Sequence, residues 1–251
     1  MKKTTITIVI PVFNVEKFVN DTLSSVKNQI SQADEVIVIN DGSTDGSFKI
    51  INNFRHLQGW KIIQTQNQGL GLTRNFGRSM ANSDYIYFLD SDDIIKDDLI
   101  LRIRKIINQY NKPDMILFSG ETFNDNGPNN KELNLKFTLQ GEYLRGNKLI
   151  TKLLKKKETL PQVSRYITKV ELWTINKLDY PEGVAEDEAL FFPLLALSER
   201  VVIIPEIYYS YRVGRPGSIT LSKPSSKYAR DYLNNRSLYF ILEKTRAEHT
   251  V

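Results

Sequence analysis

Cysteine is absent from all 251 residues, which excludes disulfides and thiolate-bound metals from the outset. Histidine is almost as scarce. The 2 present, His56 and His249, lie far apart in the chain, so a zinc site built on paired imidazoles is not available. No apolar run approaches the roughly 20 residues that span a bilayer. The first apolar stretch is broken by Pro11 and has no small-residue cleavage site behind it, so it does not read as a secretion leader. Together these absences set the expectation of a cytoplasmic protein. A large excess of one charge is lacking too. With 34 Lys and Arg against 29 Asp and Glu, the net charge of +5 mildly favours anionic partners without choosing among nucleotide phosphates, nucleic acid and anionic lipid. The 41% hydrophobic and 25% charged composition is that of a globular chain able to bury a real core.

Strand-like and helical periodicities alternate through the first half. "ITIVIPVF" (6–13), "EVIVIND" (35–41), "WKIIQTQ" (60–66), "YIYFLD" (85–90) and "MILFSG" (115–120) read as strands. Val15, Phe18, Val19, Leu23, Val26 and Ile30 mark a helix between the first two. A short helix near 45–54, another over 70–81 and a third over 94–109 separate the rest. This alternation predicts an α/β fold with parallel strands and crossover helices, which holds ligands beyond the carboxyl ends of its strands. Residues 12–13, 40–41 and 90–93 then converge on one edge. The second half is less regular. It has a polar boundary segment "NDNGPNN" (124–130), a basic helix over 147–158, and a helix from about 186 that Pro193 should kink or shorten. A strand over 200–212 and a last helix from about Ser225 complete it.

The strand over 85–90 has the composition of a buried element yet runs into Asp90, Ser91, Asp92 and Asp93. One reading has Ser91, Asp92 or Asp93 cap the helix at 94–109, where acids suit the positive end of the dipole. That leaves Asp90, still in the strand, without a reason. The other reading has Asp90 and Asp92 hold a hard divalent cation together with substrate phosphates. Asp41 in "NDGSTDGS" (40–47) is either a turn residue or an acceptor for a base N–H or a ribose hydroxyl. In "NQGLGLTRNFG" (67–77), Gly69 opens a loop suited to a pyrophosphate, with Arg74 as a bidentate partner; neither a dinucleotide fingerprint nor a P-loop is present. "GVAEDEALFF" (183–192) gathers acids at a helix start, either for the helix dipole or to supply a general base. Arg212 and Arg215 in "YRVGRPGSIT" (211–220) read as a basic surface loop, or as one that closes over phosphates.

In this order, "IPVFNVE" (10–16), "NDGSTD" (40–45), "GLGLTRNFG" (69–77), "FLDSDD" (88–93), "EDEALF" (186–191) and "YRVGRPGSIT" (211–220) resemble the motifs of glycosyltransferase family 2. The resemblance implies a GT-A fold: a Rossmann-like, mostly parallel sheet flanked by helices, with a C-terminal acceptor-side helical region. Within one continuous domain, residues 1–122 would bind the nucleotide sugar and 123–251 the acceptor. The implied reaction is inverting transfer of a hexosyl or N-acetylhexosaminyl group from a UDP-sugar to a glycan hydroxyl, in bacterial surface polysaccharide assembly. Pro11, Val12, Phe13 and Asn14 would hold uracil and ribose with Glu16 and Asp41. Gly69, Arg74, Ser91 and Arg215 would lie along the ribose and diphosphate. Asp90 and Asp92 would bind Mn²⁺ or Mg²⁺, Asp92 more directly, and Asp187 would be the catalytic base. The implied partners are the donor and a glycan acceptor on a lipid carrier, not nucleic acid. The basic helix (Lys152 to Lys157) would be either a solvated face or a contact with the inner membrane face, and a homodimer is compatible with this reading.

Two departures are visible: Thr73 stands where the family has a small Ala, and "QVSRYITK" (162–169) fits the family's pattern only loosely. The rivals are weaker. A haloacid dehalogenase-type phosphohydrolase carries its motif on the first strand, with Thr or Val at the position of Ile94. A nucleotidyltransferase needs a basic Gly-rich loop after the first strand. A non-catalytic sugar-nucleotide-binding subunit has no use for Asp90, Asp92 and Asp187 together.

Overall fold

The β-branched runs of the first half become parallel strands in the computed structural model, which describes residues 3–29, 31–124, 133–158, 161–183 and 186–214. Strands β1 (Ile6–Val12), β2 (Glu35–Asp41), β3 (Trp60–Thr65) and β4 (Tyr85–Phe88) lie in the order β3-β2-β1-β4, all parallel. Helices α1 (Val19–Lys27), α2 (Ser47–Asn52) and α3 (Leu70–Met80) make the crossovers. Because strand side chains alternate between faces, Ile6, Ile8, Ile10 and Val12 pack into one apolar cluster, and Val9 with Ile37 and Ile39 into the other. Helix α3 lies flush on the sheet because Gly77 faces it: a Cβ there would sit 2.3 Å from Val9 Cγ1.

The second half extends the sheet. After β4 come β5 (Ile94–Ile95), α4 (Leu99–Gln109), β6 (Met115–Phe123), β7 (Gly141–Leu144), α5 (Gly146–Lys156), β8 (Tyr166–Lys169), α6 (Val170–Ile175), α7 (Glu186–Leu197) and β9 (Arg200–Arg212). Strand β8 inserts antiparallel between β4 and β6. Strand β9 runs parallel to β6 and carries β5 and β7 antiparallel to it. Around Pro205 and Glu206 the register of β9 shifts, Ile204 facing Phe118 and Ile207 facing Ser119. A bulge there tolerates a proline that could not donate to the ladder.

Three expectations change here. The helix expected over 94–109 begins only at Leu99, behind Asp98, because Ile94 and Ile95 pair with Ser210 and Tyr209. Ser91, Asp92 and Asp93 therefore cap nothing. Pro193 does not cut its helix short, since α7 runs on to Leu197 with Leu194 and Leu195 fully buried. The segment 162–169, flagged only as a poor match, supplies β8 and the short 3-10 turn before it (Val163–Arg165). The boundary segment beyond Asn124, the loop from Arg215 and the helix from Ser225 lie outside the described residues. No described helix is long and apolar enough to cross a membrane.

Candidate active site

In the order β3-β2-β1-β4, the chain reverses direction of winding at β1, and the crevice beyond the strand ends at such a point is where open α/β sheets bind ligands. The loops there are tied to each other. Asn14, in left-handed conformation at φ 51°, donates its backbone N–H to Ser43 Oγ and accepts the Thr44 N–H on its side-chain oxygen, at 3.1 and 2.8 Å. Val15 N–H donates to Ser47 Oγ at 2.9 Å, and Glu16 Oε2 accepts the Gly46 N–H at 2.5 Å at the start of α2. Pro11 and Val12 are the last residues of β1, paired with Ile39 and Asn40, while Phe13 stands 47% exposed at the mouth. The carboxylate of Asp41 is turned to the next loop. It accepts the N–H groups of Gln68 and Gly69, each at 3.0 Å, and the Thr65 hydroxyl at 3.2 Å. Gly69 then opens α3 at φ 94°, a conformation that side chains rarely adopt.

Helix α3 organises the other side of the crevice. Arg74 is 2% exposed, and its NH2 donates to Asp90 Oδ1 and its NH1 to Glu186 Oε1, both at 2.6 Å. Its guanidinium lies 5.4 Å above the Tyr180 ring. Burial alone would disfavour the charge, but the Asp90 and Glu186 carboxylates outweigh it and hold Arg74 ionised. One residue on, the Asn75 amide brackets the Tyr180 backbone, donating to its carbonyl and accepting its N–H at 2.9 and 2.8 Å. Arg78 pairs with Asp179 and covers the Trp173 ring. Residues 74, 75 and 78 therefore form one helical face that docks Trp173, Asp179, Tyr180 and Glu186. The expectation that Arg74 grips a diphosphate meets a guanidinium already engaged by two carboxylates.

The turn after β4 is held from both flanks. Asp90 donates its N–H to Ser164 Oγ at 3.1 Å, and its own carbonyl accepts the Asp93 N–H at 3.2 Å. Asp93, fully buried, accepts the Arg212 N–H on Oδ1 at 2.8 Å and the Tyr209 hydroxyl on Oδ2 at 2.5 Å. Burial first, and then the Asp92 and Asp90 carboxylates, push Asp93 well above the usual carboxylate range. Ser91 and Asp92 are themselves buried, and Arg212 Nε donates to the Asp92 carbonyl at 2.7 Å. Arg212 is thus not a surface-loop cation but the buried last residue of β9. Arg215 lies beyond the described residues.

Asp187 sits in the first turn of α7, beside Glu186 and so beside the Arg74 bridge, with Oδ1 accepting the Glu188 N–H at 2.9 Å. Although an edge of the residue reaches solvent, the packing around its carboxyl, followed by the charge of Glu186, pushes its pKa well above the usual range; Arg74 opposes this without cancelling it. Among the described residues no three His, Asp or Glu side chains gather into a metal cage. The donor set fits a hard cation of another kind. Asp90, with a side chain 30% exposed, and Asp92 stand in one turn as hard oxygen donors of the kind Mg²⁺ and Mn²⁺ take. Sequence reasoning missed Ser164, Tyr180, Tyr209 and the bridging part of Glu186. Only Glu186 carried a signal, as the acid next to Asp187.

The profile of Glycosyl transferase family 2 matches residues 7–167. An uncharacterized glycosyltransferase of Haemophilus influenzae is 31% identical, over 95% of this chain and 89% of its own length. Glycosyltransferase GlyA of Streptococcus pneumoniae is 29% identical over 86% of this chain, which spans only 31% of GlyA. Among solved structures, residues 1–349 of Staphylococcus aureus TarS in complex with UDP-GlcNAc superpose with a TM-score of 0.78 at 22% identity, covering 95% of this chain and 66% of that one. TarS is named a poly(ribitol-phosphate) beta-N-acetylglucosaminyltransferase.

Proposed function

Since this chain belongs to glycosyltransferase family 2 and has the GT-A fold, we propose that it moves one sugar from a UDP-sugar to a hydroxyl of a glycan acceptor, with inversion at the anomeric carbon. The observation that carries this is the bridge Asp90–Arg74–Glu186, which brings the Asp90–Asp93 turn and the Asp187 helix to one end of the sheet. A transferase of this kind needs a leaving-group site and a base on opposite sides of the reacting carbon; in this reading the turn serves the first and the helix the second.

In this reading the β1 end from Pro11 to Asn14 and the Asp41–Gly69 loop receive the base and ribose. Phe13 supplies an exposed ring, and Asp41 acts by holding the Gln68–Gly69 backbone. Glu16 acts likewise, by fixing Gly46. Asp90 and Asp92 would hold Mn²⁺ or Mg²⁺, which supplies positive charge against the diphosphate as the sugar–phosphate bond breaks. Ser91 lies between them. Asp187 accepts the proton of the acceptor hydroxyl as its oxygen attacks, and UDP departs from the opposite face. No covalent intermediate is required. Residues up to 122 form the donor half and those from 123 the acceptor half of one continuous domain. The UDP-GlcNAc bound to TarS supports a hexosyl or N-acetylhexosaminyl donor, and the named substrate of TarS supports an acceptor among bacterial surface polymers.

The direct test is calorimetric titration of UDP with and without Mn²⁺, on the parent protein and on Asp92→Ala. The variant should lose about 10–100-fold of the metal-dependent affinity. Equal affinities with and without Mn²⁺ in the parent would remove the metal from this account, and preference for another nucleotide would change the donor.

The acceptor in this reading is carried on a lipid, which places the enzyme at the cytoplasmic membrane face. Helix α5 supports that placement: Leu149, Ile150 and Leu153 face inward, while Lys148, Lys152, Lys155 and Lys156 are exposed beside Leu154, itself 54% exposed. Neutralising Lys155, Lys156 and Lys157 should lower co-sedimentation with phosphatidylserine vesicles about tenfold or more. Unchanged partitioning would show α5 to be an ordinary solvated face.

A further inference from the structure

Asp92 carries most of the metal assignment, yet a bond to its backbone carbonyl comes from Arg212, 120 positions away. Arg212 enters at the end of β9 and is 3% exposed. Its backbone N–H and its Nε reach the Asp93 carboxylate and the Asp92 carbonyl, and its NH2 donates to Asp21 Oδ2 at 3.1 Å. Its guanidinium is flanked by the rings of Phe18 at 5.0 Å and Phe123 at 4.6 Å. Tyr209, on the same strand, donates to the other Asp93 oxygen, and its backbone pairs with Ile95. On the opposite flank, Arg74 and Ser164 hold Asp90.

We infer that Arg212, Asp93 and Tyr209 form a positioning device for the divalent ion, holding the backbone of Asp92 so that its carboxylate is set before the donor arrives. This rests on the metal-assisted transferase reading above. Burying the Arg212 guanidinium and the Asp93 carboxyl costs desolvation that apolar side chains in their places would not. The arrangement is intelligible if the bonds end on the residue whose direction matters, and they end on the Asp92 carbonyl and on its neighbour's carboxylate. Groups bound to ligand residues orient those residues and tune their affinity for the ion. Two rings and the Asp21 carboxylate also engage the guanidinium. The β9 end is therefore a fixed reference for the turn.

The experiment uses two conservative changes in the full chain. Tyr209→Phe removes one hydroxyl and leaves the ring and the β5 pairing. Arg212→Lys keeps the charge but not the Nε bond to Asp92. UDP affinity is measured by calorimetry across Mn²⁺ concentrations and in EDTA. The Mn²⁺ concentration giving half of the metal effect should rise about tenfold in each variant, while UDP affinity in EDTA stays within about twofold of the parent. An unchanged Mn²⁺ requirement in both variants overturns the inference. So does an equal loss with and without metal, which is what a merely structural role produces. Failure of the underlying reading appears elsewhere, as a parent protein whose UDP binding ignores Mn²⁺.

Discussion

Asp187→Asn is expected to lower kcat about 1,000-fold, within the usual range for removal of a general base, while the protein melts at the same temperature or higher. The two halves of this result have one cause. Burial and the adjacent Glu186 raise the Asp187 pKa, so the folded protein binds that proton more tightly than the unfolded chain, whose aspartates titrate near about 3.9. A group raised in this way contributes its full stability below the unfolded value and loses it as pH rises through the folded value. Wherever Asp187 is ionised in the folded protein, that charge therefore opposes folding. Asparagine removes that charge, and its side-chain oxygen still accepts the Glu188 N–H.

The same shift predicts the pH profile. Activity of the parent should climb as Asp187 ionises, with an acidic limb above the ordinary carboxylate range, and the residual activity of the variant should lack that limb. Steady-state rates across pH, paired with thermal melts at acid and neutral pH, check both. An Asp187→Asn protein within tenfold of the parent in kcat would move the base to another residue.

Arg74→Met is expected to be the most destabilising single change at the site, at about 3–5 kcal/mol. Methionine fills much of the same space but leaves Glu186 and Asp90 facing a cavity that no longer holds a cation. The Glu186 arm is buried at both ends, 2% and 9% exposed, and accounts for most of the loss. The Asp90 arm, 30% exposed on the carboxylate side, is partly screened by water and adds less. Arg74→Lys should rescue only in part, because a single ammonium cannot reproduce the forked geometry that reaches both carboxylates. Urea denaturation read by tryptophan fluorescence checks the values. A loss below about 1 kcal/mol for Arg74→Met would mean that the bridge adds little to folding. Because the bridge also joins the donor turn to the base helix, transfer should fall further than the loss of folded protein explains.

The strands and crossovers of the first half could be read from local pattern because each buries alternate or successive β-branched residues and each helix has one apolar face. The six-segment resemblance added the family, and with it the expectations of a metal at Asp90 and Asp92 and of a base at Asp187. The start of the helix after β4 was placed too early for a physical reason. Acids before an apolar periodic segment look like a helix start, and nothing local in Ile94–Ile95 says that they will pair with Tyr209 and Ser210. Strand β8 escaped notice because four residues between two short helical elements carry too little periodicity to register.

What the amino-acid sequence determined by itself is therefore the α/β class, the succession of strands β1 to β4, the strand ends where a ligand is expected, and the set of acids available there. Only the tertiary structure decided which charges meet. Arg74 and Glu186 are 112 positions apart, and Arg212 and Asp21 are 191 apart. Periodicity reports which side of an element is buried, over a few turns or a few residues of strand. It carries no information about which partner stands opposite, since that depends on how the whole sheet closes around β8 and β9.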